Sequence, residues 1–178
     1  MPTPAPGNEP PAVTATDNLT AADGPATRAP LPGAGSATLR MWVRLLACAK
    51  IGEKQLRRKF DEQFDTTLPR FDVLAALDRV PEGLSMSALS RALLVSNGNV
   101  TAIVRQLQAQ GLVASRTDPH DARSAIVSLT PAGQRQFDTL ATAHHAWIAA
   151  MLRDVPAERV DQLVRSLGEL RAILEEQT

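Results

Sequence analysis

What is scarce in this chain bounds what it can do. There is one cysteine, Cys48, and no tyrosine in 178 residues. A lone thiol excludes an intrachain disulfide and agrees with a reducing compartment. Histidine is nearly as sparse. His120 stands alone, and His144 and His145 are adjacent, so they do not share a helix face; with a single cysteine no closed zinc site is expected. No apolar run approaches the ~20 residues of a membrane span, and no basic start with an apolar core marks a secretory leader, so a cytoplasmic protein with no membrane partner is expected. A glycine-rich phosphate loop, a nucleophile elbow and a recognisable pair of catalytic carboxylates are all missing. Neither an enzyme nor a cofactor is expected.

Acidic residues are also missing from one interval. The formal net charge is +0, which by itself argues against a nucleic-acid binder, yet the distribution decides more than the sum. Between Gly83 and Thr117 there is no Asp or Glu, while Arg91, Arg105 and Arg116 lie inside that stretch and Arg123 just beyond it. The acids gather elsewhere, at Glu9, Asp17 and Asp23 and at Glu158, Asp161, Glu169, Glu175 and Glu176. A basic face and a distant acidic end follow.

Within Leu84 to Gly133 the hydrophobic spacing reads as two helices, a tight turn and a β-hairpin. Met86, Leu89 and Leu93 make one stripe of a helix beginning at Ser85 or Ser87, and Val95-Ser96 breaks it. Ser96 then caps a second helix in which Val100, Ile103, Val104 and Leu107 point inward and Gly111 stands at the C′ position. Its outward face holds Ser96, Asn97, Gly98, Asn99, Thr101, Ala102, Arg105 and Gln108, groups suited to base edges and phosphates. Leu112–Thr117 and Ser124–Leu129 flank a tip of Asp118-Pro119-His120-Asp121-Ala122-Arg123, which reads as a hairpin wing. Arg116, His120, Asp121 and Arg123 extend the candidate DNA-contact set.

The flanks read as support. Most of the 13 prolines fall in residues 1–38, where little can form a core, and a disordered arm is expected there. Residues 39–66 form a long amphipathic helix carrying Trp42, Leu45, Leu46, Leu56, Phe60 and Phe64. Thr67 and Pro69 open the next helix, with Phe71, Leu74 and Leu77 inward. Thr130-Pro131 starts a helix running to about Arg153, and a terminal helix after Pro156 bears a continuous stripe from Val160 to Leu174. Residues 39–66 and 131–178 are thus expected to make a helical dimerisation region around a winged helix-turn-helix at 67–130. The fold class is mainly α with a small β-hairpin wing.

Asp121-Ala122-Arg123 followed by Leu129-Thr130-Pro131-Ala132-Gly133 resembles the D-x-R…L-T-x-x-G wing and helix junction of the MarR family of regulators. Val95-Ser96…Val100-Thr101 and Leu107…Gly111-Leu112-Val113 are similar to that family's recognition helix and first wing strand. The resemblance covers about Leu39 to Glu176. It implies a homodimer reading a pseudo-palindromic double-stranded operator, with repression relieved by a small ligand. It also implies that Arg123 reaches the minor groove, with Asp121 orienting it. Ala102 stands where members often have Arg, and Arg105 where an acid is frequent, so base preference does not carry over. The stretches Leu39–Cys48 and Thr67–Asp72 are similar to members controlling aromatic-acid catabolism, which implies an aromatic acid or aromatic acyl-coenzyme A effector.

For such an effector, Trp42, Phe71, His144 and Trp147 are candidate walls, and Arg40, Arg44 and Arg70 candidate partners for an anionic group. The simpler reading of Trp42 and Trp147 is core or dimer interface. Two rivals remain. Some relatives switch through a helix-one thiolate, but the tyrosine that steadies it is missing and Cys48 lies in an apolar run, so a buried structural thiol is expected instead of a redox sensor. A winged helix used for protein contacts would expose apolar anchors, unlike the acid-free polar face found here.

Overall fold

The computed structural model describes residues 36–177 except His120 and Ala122. Residues 1–35 of the expected arm, and the readings of His120 and Ala122, lie outside the described residues. Two compact units are distinguished, Met1–Trp42 and Val43–Thr178. The described part of the first is the opening of helix α1 (Ala37–Phe64), where the Leu39 N–H donates to Ser36 Oγ at 3.0 Å. Gly52 does not interrupt α1, and only Leu56 and Phe60 of this helix are buried.

In the second unit, helix α2 (Leu68–Asp78) is central. Phe71, Val73, Leu74, Ala76 and Leu77 are buried around most of its circumference, against α3 (Met86–Leu93), α4 (Asn97–Ala109), α5 (Pro131–Leu152) and the sheet. A helix apolar on so many sides has no place but the middle of a core. Phe60 of α1 anchors an aromatic cluster there, 4.9 Å from Phe71 and edge-on to Trp147 at 5.0 Å between ring centroids.

Three strands form the sheet, where the sequence indicated a two-stranded hairpin. β2 (Val113–Thr117) and β3 (Ala125–Leu129) are the expected wing, and β1 (Leu84–Ser85) adds to the other edge of β3, all antiparallel in the order β1-β3-β2. Leu84 and Ser115 both pair with Val127. Two residues of β1 carry no periodicity, so this strand was invisible as a pattern. Ser85 closes it and caps α3, accepting from the Ala88 N–H at 3.2 Å. The helix therefore starts at Met86.

The turn into α4 also differs from expectation. Leu94, in the left-handed region at φ 54° and 93% exposed, ends α3. The Ser90 hydroxyl donates to the Val95 carbonyl at 2.5 Å and holds the turn shut. Ser96 and Thr67 occupy N-cap positions with extended backbone but make no side-chain cap bond. Helix α6 (Ala157–Glu175) buries none of its side chains: Leu163, Val164, Leu167, Ile173 and Leu174 are all exposed, as are Leu46 and Ile51 of α1. Among the described residues no helix is long and apolar enough to cross a membrane.

Candidate nucleic-acid interface

Packing decides which face of α4 is offered. Val100, Val104 and Leu107 are buried, which leaves Ser96, Asn97, Gly98, Asn99, Ala102 and Arg105 exposed. Thr101 is half-buried, and its hydroxyl donates back to the Asn97 carbonyl at 2.8 Å, so its methyl group is the freer recognition element. Gln108 Nε2 donates to Ser115 Oγ at 2.6 Å, tying the last turn of α4 to strand β2. Arg116 on the same strand donates to the Glu82 carbonyl at 3.2 Å. The first bond, across seven residues, ties α4 to the wing; the second, across 34, ties the wing to the turn before β1, and nothing local in the sequence signals it.

At the wing tip Asp121 acts on backbone. Its Oδ1 accepts from the Arg123 N–H at 2.9 Å, while the Ser124 N–H donates to the Asp121 carbonyl at 2.8 Å and the Asp118 N–H to the Ser124 carbonyl at 2.9 Å. The carboxylate thus shapes the turn that presents Arg123, whose exposed side chain projects from the tip. Among the described residues, the ion pairs join Arg57 to Glu53, Arg58 to Glu62, Arg153 to Asp154 and Arg171 to Glu175. None involves Arg91, Arg105, Arg116 or Arg123. Asp118 and Asp121 stand beside Arg123 at the wing tip, but α4 carries no acid, so Arg105 and the neighbouring Arg91 give the helix side of this face the positive charge that a phosphate backbone attracts.

The candidate effector residues do not form one group. Phe71 and Trp147 are 7% and 8% exposed and belong to the aromatic core. His144 packs there too, with ring centroids 4.7 Å from Phe71 and 6.0 Å from Phe60. Arg40, Trp42 and Arg44 are exposed on the first part of α1, so Trp42 is not a core residue of the single chain. Arg70 faces a separate cavity. Cys48 is exposed, which corrects the expectation of a buried thiol. An apolar run in α1 is covered only where the helix meets the core, at Leu56 and Phe60, and Cys48 lies two turns earlier.

Two core-edge groups have displaced ionisation. Burial, and to a lesser degree the adjacent His145, lowers the pKa of His144 from its ordinary 6.5. A histidine held neutral in the fold and protonated in the unfolded chain contributes stability that is full above pH 6.5 and is lost as pH falls toward the depressed folded value. Thermal midpoints between about pH 5 and 7 are therefore expected to rise with pH, and His144→Phe to flatten that rise. An unchanged slope in the variant would remove His144 as its source. Asp72 is pushed upward from 3.8 by burial, against the nearby Arg57 and with Glu53 adding to the rise. Its neutral form is favoured by the fold, so its contribution is present below 3.8 and disappears as pH rises through the folded value.

The comparisons agree with this geometry. A family model described as MarR family matches residues 64–124, from the end of α1 to the wing. The transcriptional activatory protein BadR of Rhodopseudomonas palustris is 35% identical over 104 residues, 57% of this chain and 59% of that protein. The match thus spans less than two thirds of that relative. A solved structure of a MarR family transcriptional regulator from Silicibacter pomeroyi has a TM-score of 0.62 at 35% identity, covering 78% of this chain and 94% of the other. CouR from Rhodococcus jostii RHA1, solved bound to p-coumaroyl-CoA, has a TM-score of 0.64 at 18% identity, covering 73% and 90%, and shares the fold.

Proposed function

The chain belongs to the MarR family of transcriptional regulators, and from that premise we propose that it is a cytoplasmic, non-enzymatic, homodimeric repressor released from its operator by a small aromatic effector. The observation that carries the DNA-binding part is the exposed face of α4, which holds no acid, beside the wing that presents Arg123. On this reading α4 enters the major groove through Asn97, Asn99, Thr101 and Arg105, and Arg123 follows the adjacent minor groove. Arg105 lies one turn past Thr101 and serves as a phosphate or base contact.

Support for the dimer is the apolar stripe of α6. Leu163, Val164, Leu167 and Leu174 exposed together are stable only against a partner, and an isologous pairing of α1 and α6 with a second copy covers them. Two wings then meet half-sites about ten base pairs apart, or a multiple of that. Sedimentation at micromolar concentration is expected to show a dimer that Leu163→Glu with Leu167→Glu converts to monomer. A wild-type monomer at that concentration would refute the pairing.

BadR is named as an activator, and this favours a second reading in which the same DNA contacts raise transcription. The two separate in one assay: DNA fragments retained by the chain, selected from its own genome, are placed before a reporter with and without the chain. Reporter output that falls on adding the chain supports repression, and output that rises supports activation. Fragments retained no better than random DNA would refute sequence-specific regulation altogether.

A further inference from the structure

Asn97 and Gly98 open helix α4 side by side, both exposed on the face offered to DNA. Gly98 is the second residue of the helix, where an N–H has no acceptor within the helix, and Ser96 at the N-cap makes no side-chain bond that would engage it. A Cβ placed at Gly98 meets nothing within 4 Å, so the space around this peptide nitrogen is open. The carbonyl of the same peptide unit, that of Asn97, accepts from the Thr101 hydroxyl at 2.8 Å. Deprotonating a peptide nitrogen places negative charge on that oxygen by resonance. A hydroxyl donor there and the positive end of the helix dipole both favour the anion. Asn99, two residues on, is the opposite case. The nitrogen after it belongs to Val100, which is buried and β-branched, and the Val100 N–H donates to the Ser96 carbonyl at 3.3 Å.

We propose that Asn97 is a site of spontaneous deamidation and that its conversion to a carboxylate releases this helix from DNA; the second part rests on the DNA-binding reading above. The Gly98 nitrogen gives up its proton to hydroxide and attacks Cγ of the Asn97 side chain. The N–Cγ bond forms, the Cγ–Nδ2 bond breaks, and Nδ2 takes a proton from water and leaves as ammonia, closing a succinimide ring. Water then opens the ring at either carbonyl, to an aspartate or to an isoaspartate in which the backbone runs through the former side chain. The net change consumes water and releases ammonia, with no oxidant or reductant. Either product puts a full negative charge on a helix that holds no acid. That charge repels phosphate, and the carboxylate lacks the amide donor with which an asparagine pairs with adenine. An acid in the first turn suits the helix dipole, so the aspartate form keeps the helix and loses the contact. The isoaspartate form lengthens the backbone of that turn and re-aims it as well. The chain thereby limits the time it stays competent to bind DNA.

Incubating the full chain for days at body temperature in mildly alkaline buffer tests this. Peptide mass spectrometry with an isoaspartate assay follows the chemistry, and retention on a DNA duplex at low salt follows the consequence. Conversion is expected faster at Asn97 than at Asn99, and severalfold slower in Gly98→Ala and in Thr101→Val. Retention by the wild type is expected to fall in step with loss of the Asn97 amide while its thermal midpoint holds. Gly98→Ala, compared with its own starting retention, is expected to lose far less. Asn97→Asp, which presents the product's charge on a folded helix, is expected to bind at least about tenfold more weakly than fresh wild type. An Asn97 amide that outlasts that of Asn99, or conversion unaffected by Gly98→Ala, would overturn the site. Full retention by Asn97→Asp or by the converted chain would overturn the consequence. A fresh chain that ignores DNA while Asn97 converts would keep the modification site and refute the DNA-binding reading, and the release with it.

Discussion

Gly133→Ala is expected to lower stability by about 3 kcal/mol, or some 6–12 °C in thermal midpoint for a chain of this size. Gly133 lies in the first turn of α5, and a Cβ placed there meets the Leu112 carbonyl oxygen at 1.9 Å and the Leu112 carbonyl carbon at 2.9 Å. Backbone cannot yield as the end of a flexible side chain would. The approach is held from both sides by Thr130. Its hydroxyl donates to the Gly111 carbonyl at 2.7 Å and accepts from the Gly133 N–H at 3.0 Å, while its own N–H donates to the Leu112 carbonyl at 3.1 Å. This clamp joins the end of the recognition helix, in left-handed conformation at Gly111 (φ 69°), to the helix leading toward α6. Gly168→Ala on α6 is the control: a Cβ there meets nothing within 4 Å, so the change is expected to be neutral or mildly stabilising. Equal thermal shifts for the two variants would show that the clamp is not what Gly133 serves.

Arg123→Ala is expected to weaken operator binding by about 1–3 kcal/mol and, if the contact includes a phosphate, to reduce the slope of log affinity against log salt by about one. The wing tip has no acid paired to this side chain among the described residues, so its charge is available to DNA. Asp121→Ala is expected to act in the same direction with smaller effect, because it releases the Arg123 backbone N–H and leaves the guanidinium itself intact. Arg105→Ala discriminates between its two possible contacts. A phosphate contact lowers affinity for every sequence alike, and a base contact narrows the gap between operator and scrambled DNA. Unchanged affinity and slope in Arg123→Ala would remove the wing from the interface.

Much of this was legible in the residues because period and punctuation agree. The stripe Val100, Val104, Leu107 ending at Gly111 marked α4 within two residues, and Thr130-Pro131 marked the start of α5. What escaped depended on distance along the chain. Strand β1 exists because Leu84 finds Val127, more than forty residues away, and two residues show no alternation by themselves. Cys48 was misplaced for a related reason: an apolar stripe reports that a face will be covered, without saying whether its own chain or a second copy covers it. The Arg70 cavity shows the converse. The arginine was a candidate by type alone, and only the meeting of α2 with the end of α4 revealed Gln110, which accepts from one arm of its guanidinium.

Sequence-specific DNA binding by the acid-free face of α4 and the arginine wing is read out by titrating the wild-type chain onto a duplex carrying a selected fragment and onto a scrambled duplex of equal length, across a range of salt. Affinity for both is expected to fall linearly in log–log form with a slope of several, with the selected duplex tighter at every salt concentration. Salt-independent binding, or equal affinity for the two duplexes throughout, would contradict it.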